Sequence, residues 1–503
     1  MRTLYRASLV RTLSYPQTGE WVVVDGRHVQ RVGSGEPPDA DRVVDLPGTT
    51  IVPGMIDAHV HLMGIGLSLA NEDVARAPSA AALLEIAKAR AAEGEGVVLL
   101  RGFDESTWGD PRFPSLGELD AITERPLVIK RTDGHLGLVN SAALREADAE
   151  GAAGLGLDAQ GHPTGVVSQE ANDLVTTWAI GNLSDHELQG LQLRGAAVAA
   201  ASGVTSLHEM SLPNETGERD LEVFLGHRSN LPVDALPIVA TMDVARAIEL
   251  RSSAIGGDLP VDGSLGARTA ALVDPYLDGE GDGVCYYEDD QLAQFFHDGH
   301  NAGLQVGVHA IGDRAIEQVL RVWERVYGAL DSRDRRHFRA RRHRVEHASM
   351  ATPSQIERAA MLGLAISIQP SFDLSWGQPG GLYESRLGDE RADGMHAVRT
   401  MLDRGIEVGA GSDAPVLPLD PWLTVHALEH HHRADQRLSR FEAIRLHTLG
   451  SARLGHQEEK KGALEPGLHA DFAAYERDPF ETEETLGLRP ILTVSLGREV
   501  SSA

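Results

Sequence analysis

Several residues of this 503-residue chain combine a metal-ligand side chain with the end of an apolar run. The clearest segment is Pro53-Gly54-Met55-Ile56-Asp57-Ala58-His59-Val60-His61. In a strand, residues i and i+2 share a face, so His59 and His61 project together. Two imidazoles side by side are half a metal site. Taken alone, the His-X-His spacing is more often a surface strand end. His309 closes the run Gln305-Val306-Gly307-Val308, and His347 follows Arg344-Val345-Glu346. Asp413 closes Gly409-Ala410-Gly411-Ser412. An isolated histidine is usually a packed or solvated group. Ligand-type residues at four separate strand ends are far harder to obtain by chance. Neutral imidazoles with a carboxylate suit Zn²⁺ and tolerate Mn²⁺, Fe²⁺ or Co²⁺. Such an ion lowers the pKa of bound water from near 16 towards ~7, which yields a nucleophile at neutral pH.

These residues need a scaffold that gathers strand ends. From Thr49 onward, apolar strand-like runs alternate with Ala-rich helical stretches. Strand candidates are Thr50–Ile56, Val97–Arg101, Leu127–Lys130, Val204–Leu207, Val233–Ala240, Gln305–Val308, His343–Val345, Leu364–Ile368 and Ile406–Ala410. Strand-then-helix alternation implies a parallel sheet, and a count near eight favours a closed α/β barrel of the (β/α)₈ type. In such a barrel the carboxyl ends of the strands carry the chemistry. The first fifty residues and the tail from Gly462 read instead as short strands with turns. We therefore expect residues 1–52 and 450–503 to build one small β-sandwich. Residues 53–449 would form the barrel, with an inserted loop or lid at about 140–200.

Composition limits the alternatives. Lys plus Arg number 46 against 74 Asp plus Glu, a net charge of −28. That balance repels phosphates, so nucleic acid and anionic membrane surfaces are poor partners. Hydrophobic residues make up 42%, enough for a large core, yet no stretch approaches a membrane span. The single cysteine, Cys285, excludes an intrachain disulfide and a cysteine-rich zinc site. The opening MRTLYRASLV lacks the apolar run of a secretory signal, so a soluble cytoplasmic protein is expected.

The segments PGMIDAHVHL, RTDGHLGLVNSAAL, VDGSLGARTAAL, VGVHAIGDRAIEQVL, HRVEHASM, SIQPSF, GSDAPV and GALEPGLHADFAAY run from Pro53 to Tyr475. In order and spacing the chain resembles the amidohydrolase superfamily, and within it the YtcJ-like branch that includes N-substituted formamide deformylases. The resemblance implies a (β/α)₈ barrel with a β-sandwich from both termini, one or two divalent metals (most often zinc), and a homodimer. By matching position, His59, His61, His309, His347 and Asp413 would form the metal shell. His135 and Asn140 would lie near the pocket. Many relatives carry a lysine about four residues before the DGS of DGSLG, where this chain has Asp258. A carboxylate could bridge two metals in its place, and Glu170 is favoured over Asp258 for that role.

The expected reaction is hydrolysis of an amide-type C–N bond in a small molecule: an N-formyl or N-acyl amine, a carbamate or a cyclic amide. Asp413 would orient the activated water, take its proton and pass it to the leaving nitrogen. His135 would stabilise the oxyanion. Arg268 is a candidate for holding a substrate carboxylate, with a structural salt bridge as the equal alternative. Trp108 and Trp376 are candidates for lining an apolar pocket, with plain packing as their alternative. His208 is a candidate for supporting the ligands from behind. The run His430-His431-His432 reads as a solvated helix face. Competing functions are a deaminase, an esterase or lactonase using the same site, and a non-catalytic scaffold.

Overall fold

The computed structural model describes residues 1–502 except 94, 106–107, 111, 132–135 and 213–217, with the backbone alone at 72 and 73. Eight parallel strands form one sheet: β1 (Met55–Val60), β2 (Val204–Ser211), β3 (Asp234–Val239), β4 (Ala254–Ile255), β5 (Gln305–Ala310), β6 (Arg344–His347), β7 (Ala365–Ile368) and β8 (Glu407–Ala410). They pair in that order from β1 to β8. The ends meet beyond β8. Val60 bridges Ala414 in parallel, and the Asp413 N–H donates to His59 O at 2.9 Å. The sheet is thus a closed (β/α)₈-type barrel. Every residue of β1, β2, β6 and β7 is buried. Burial on both faces is expected of a parallel barrel, and β2 and β6 also bury polar side chains, among them His208, Glu209, Arg344 and Glu346.

Helices cover the barrel with apolar stripes. On Asp313–Ala329, Ile316, Val319, Leu320, Trp323 and Val326 recur at helical spacing and are buried. Trp323 stacks on Phe296 of the neighbouring helix with ring centroids 4.0 Å apart. Burying each such ring contributes roughly 1.5–3 kcal/mol.

The termini build a second sheet of seven strands, as expected. Arg42–Pro53, which leads into β1, pairs in parallel with Arg2–Arg11 and antiparallel with Phe472–Tyr475. Its core includes Tyr5, Val22, Ile51, Phe472 and Val494. Tyr5 meets Phe472 edge-on at 4.9 Å.

The chain divides into two compact units, one of Met1–His61, Ala196–Ser211 and Arg228–Ala503, the other of Leu62–Gly195 and Leu212–His227. The second is larger than the expected insertion at about 140–200. It has its own five-stranded sheet, containing Val98–Phe103, Leu127–Arg131, Leu136–Val139, Pro163–Ser168 and Leu155–Leu157. The strand candidates Val97–Arg101 and Leu127–Lys130 therefore belong to this sheet and not to the barrel. Their two-faced burial explains the misassignment. Leu127 and Ile129 pack into one apolar cluster and Val128 into another, so the run reads like any central strand. The barrel's true fourth strand, Ala254–Ile255, has only two residues and carries no periodicity to detect. No helix among the described residues is long and apolar enough to cross a membrane.

Candidate metal centre

The carboxyl ends of the barrel strands bring six donors together. His59 lies in β1, His61 just beyond it, His309 in β5 and His347 at the end of β6. Asp258 and Asp413 follow β4 and β8 by three residues. Asp258 faces all four imidazoles. Its Oδ1 lies 3.2 Å from His309 Nδ1, 3.3 Å from His347 Nε2 and 3.5 Å from His59 Nε2. Its Oδ2 lies 3.5 Å from His61 Nε2. On the other side, Asp413 Oδ1 is 3.2 Å from His61 Nε2 and 3.4 Å from His59 Nε2. Two overlapping sets have ligand atoms within 4.8 Å of one another: His59, His61 and Asp413; and His59, Asp258 and His347.

Local backbone devices deliver these groups. After β4 the chain turns at Gly256 and Gly257, with φ of 85° and 57°. A Cβ on Gly256 would sit 2.0 Å from Gly307 O. Only glycine allows this turn, and the turn sets Asp258 among the histidines. His347 and Asp413 themselves adopt left-handed backbone, with φ of 67° and 58°. Such strain in non-glycine residues persists only where surroundings hold it, and it gathers at functional sites. Asp57 supplies part of that hold. Its Oδ1 accepts from the His59 and Ser412 N–H groups at 3.1 and 2.9 Å, tying the end of β1 to the loop after β8. Burial pushes the Asp57 carboxyl up to about 6.

The electrostatics of the six groups are mutual. Burial disfavours charged imidazoles, but the carboxylates outweigh it and hold His61 and His309 at about 9. His59 is likewise held well above its ordinary value by Asp258 and Asp413. Burial would raise Asp258, yet the surrounding histidines keep it well below the usual carboxylate range. Asp413 is lowered in the same way by His59 and His61. A group that collects protons on several nitrogens to match buried carboxylates is one where a cation can replace those protons.

The far nitrogens also matter. His61 Nδ1 is 2.9 Å from Met210 O, His309 Nε2 is 3.2 Å from Gly263 O, and His59 Nδ1 is 3.0 Å from Glu346 Oε2. These contacts fix each ring and leave the other nitrogen facing the carboxylates. His59 Nε2 is buried with no hydrogen-bond partner among the described residues.

Other expected residues fall elsewhere. Glu170 belongs to the unit of Leu62–Gly195 and Leu212–His227. It is exposed at the start of helix Gln169–Gly181, and its Oε2 accepts from the Ala153 N–H at 3.1 Å. Asp258, the other candidate, is the carboxylate that faces the four histidines within the barrel unit. Asn140 is a helix cap. Its Oδ1 accepts from the Leu127 and Ala143 N–H groups, and its Nδ2 donates to Thr123 O and Arg125 O. With both ends engaged it has no capacity left for a substrate. Arg268 forms the salt bridge instead, with two contacts to Asp278 at 3.1 and 3.0 Å. Trp108 is buried, with Nε1 donating to Ala77 O at 2.9 Å, so packing is its role. Trp376 packs on Phe372 at 4.9 Å. His208 is buried, and its Nδ1 accepts from Arg344 at 3.0 Å. His135 lies outside the described residues. The run at 430–432 is not a helix face, because the helix ends at Glu429. His431 is buried, and His432 pairs with Asp373 at 2.5 Å.

Sequence reasoning missed Asp57 and the role of Glu346 and Arg344. A trace was present: two charged residues flank Val345 within a strand that has to be buried.

Residues 42–501 match the amidohydrolase family. The chain belongs to this family. It is 29% identical over 473 residues to the putative amidohydrolase YtcJ of Bacillus subtilis, covering 87% of this chain and 86% of that one. It is 25% identical over 504 residues to the N-substituted formamide deformylase of Arthrobacter pascens, covering 92% and 90%. Among solved structures, an uncharacterized metal-dependent hydrolase from Pyrococcus furiosus aligns with a TM-score of 0.79 and 26% identity over 96% of this chain and 100% of that one. An amidohydrolase fold accounts for both sheets of the first unit, the closed barrel and the sheet from the termini.

Proposed function

We propose that this amidohydrolase cleaves an amide-type C–N bond of a small molecule, such as an N-formyl or N-acyl amine, with a divalent metal at the strand-end cluster. The observation that carries the reading is Asp258. One carboxylate offers one oxygen to three imidazoles and the other oxygen to the fourth. The donors fit a metal: four imidazoles, two carboxylates, and a buried His59 Nε2 left without a hydrogen bond. His59, His61 and Asp413 would hold one ion. His309 and His347 would hold a second, with Asp258 between the two.

When bound, such an ion polarises the scissile carbonyl and lowers the pKa of water towards ~7. The protein's own residues do the rest. Asp413 turns Oδ1 towards His59 and His61. Its carboxylate accepts the proton of the attacking water and returns it to the leaving nitrogen, so amide and water become acid and amine. Asp57 and the left-handed backbone at Asp413 keep that carboxylate aimed while the proton moves. The Arthrobacter pascens relative, an N-substituted formamide deformylase, supports an N-formyl substrate, and nitrogen–oxygen donors support zinc.

The test is product analysis. Protein stripped with a chelator and reloaded with Zn²⁺ is given N-formyl and N-acyl amines. Equal amounts of acid and amine, formed only after reloading, are expected. Turnover that survives stripping would overturn metal dependence. Ammonia released from an amino-substituted ring, with no acid from the amides, would overturn the bond assignment.

A further inference from the structure

We propose that Arg344, acting through Glu346, is a positioning residue for His59. The proposal rests on the metal-centre reading above. His59 Nδ1 is 3.0 Å from Glu346 Oε2. Glu346 is gripped in turn by Arg344, with Nε to Oε1 at 2.8 Å and an NH2 contact to Oε2 at 2.9 Å. The same guanidinium donates to Ala58 O at 3.0 Å and to His208 Nδ1 at 3.0 Å. The grouping therefore spans β1, β2 and β6, and all four side chains are fully or almost fully buried.

This arrangement does three things. The carboxylate takes the Nδ1–H of His59 and so fixes its tautomer, leaving the Nε2 lone pair towards Asp258 and Asp413. The two-pronged arginine fixes the plane of that carboxylate. The bond to Ala58 O ties the guanidinium to the residue beside His59, so ring and support move together.

Two comparisons favour positioning over plain stability. A buried ion pair is no more stabilising than well-packed apolar side chains of the same volume. And the support differs in kind: His61 and His309 hydrogen-bond backbone carbonyls, with Asp262 Oδ1 a further 3.7 Å from His309 Nε2, whereas His59 hydrogen-bonds a carboxylate directly. His59 is also the one imidazole shared by both ligand sets.

The experiment compares wild type, E346Q and the double variant R344M/E346Q. The double variant leaves no unpaired buried charge. Metal-free protein is titrated with Co²⁺ against a competing chelator, following the visible absorption of the bound ion. Folding of the metal-free chains is followed by circular dichroism. The expected result is a folded double variant with Co²⁺ affinity about 10- to 100-fold weaker and a shifted absorption band. Wild-type affinity and spectrum in a folded variant would overturn the proposal. Loss of the fold in both variants would also overturn it, by making the pair structural. Wild type that takes up no Co²⁺ would instead fail the metal-centre reading itself, which separates the two failures.

Discussion

Two clusters of histidine and aspartate lie in the barrel unit, and they differ in what their nitrogens are doing. In the first, His59, His61, His309 and His347 converge on Asp258 and Asp413, while three far nitrogens are tied to Glu346, Met210 and Gly263. In the second, Asp373, His431 and His432 also hold ligand atoms within 4.8 Å of one another. There the hydrogen bonds are already closed. His431 Nδ1 accepts from the Arg433 N–H at 3.1 Å, and its Nε2 is 3.0 Å from His396 O. His432 Nδ1 meets Asp373 Oδ1 at 2.5 Å, and the His432 N–H meets Oδ2 at 3.1 Å. Closeness of ligand types is common to both clusters. What the first has and the second lacks is several anchored rings whose other nitrogens converge on shared carboxylates.

The sharpest way to break this contrast is to remove a donor from the first cluster. Asp258→Ala or His59→Ala is expected to lose bound metal and to cut kcat/KM by at least ~10³-fold, since the ion supplies several kcal/mol to the reaction. Metal analysis and the amide assay on the same preparation check it. Next comes Asp413→Asn, which should lower kcat by about 10²- to 10⁴-fold while most of the metal stays. Full activity in that variant would remove Asp413 from proton transfer.

The pH dependence separates the clusters further. In the metal-free first cluster, His61 and His309 hold protons up to about 9. Metal must displace those protons, so apparent affinity should rise with pH and level off near 9. Competition titrations from pH 6 to 10 measure this, and a flat profile would contradict it. In the second cluster the titration belongs to folding. Burial opposes both charges, yet Asp373 holds His432 above its ordinary value, and His432 holds Asp373 below its own. The raised histidine stabilises the fold at low pH and loses this as pH rises through its folded value. The lowered aspartate stabilises at higher pH and loses this as pH falls through its own. The pair is therefore most stabilising in the mildly acidic window between the two. The smallest effect expected is in His432→Ala. It should cost roughly 1–3 kcal/mol, because it leaves buried Asp373 without its partner. Its metal content and turnover should match the wild type.

Much of the first cluster was readable because it sits where regular structure ends. His59 and His61 follow the period-two rule, His309 and Asp413 close apolar runs, and His347 ends a strand candidate. Asp258 was harder. It follows a two-residue strand and a double-glycine turn, neither of which leaves a pattern. Glu170 drew attention through a local motif, yet it opens a surface helix in the other unit. The barrel and the terminal sheet were legible from alternation and texture. The five-stranded sheet of the second unit was not, because Val98–Phe103 and Leu127–Arg131 carry the same apolar signature as barrel strands. The histidine run misled for a related reason: its helix stops at Glu429, one residue before the run begins. Residue type and spacing reveal where donors lie along the chain. Which of their atoms remain open depends on tertiary partners such as Glu346, Gly263 and Arg433.

The central claim is that the first cluster, and not the second, holds divalent metal. Its most direct test is elemental analysis of wild-type protein purified without chelator, beside Asp258→Ala and His432→Ala prepared identically. The account predicts about two ions per chain in wild type and in His432→Ala, as for a paired-metal site, and a large loss in Asp258→Ala. Metal-free wild type that regains none from added Zn²⁺, or metal that survives Asp258→Ala and disappears in His432→Ala, would contradict it.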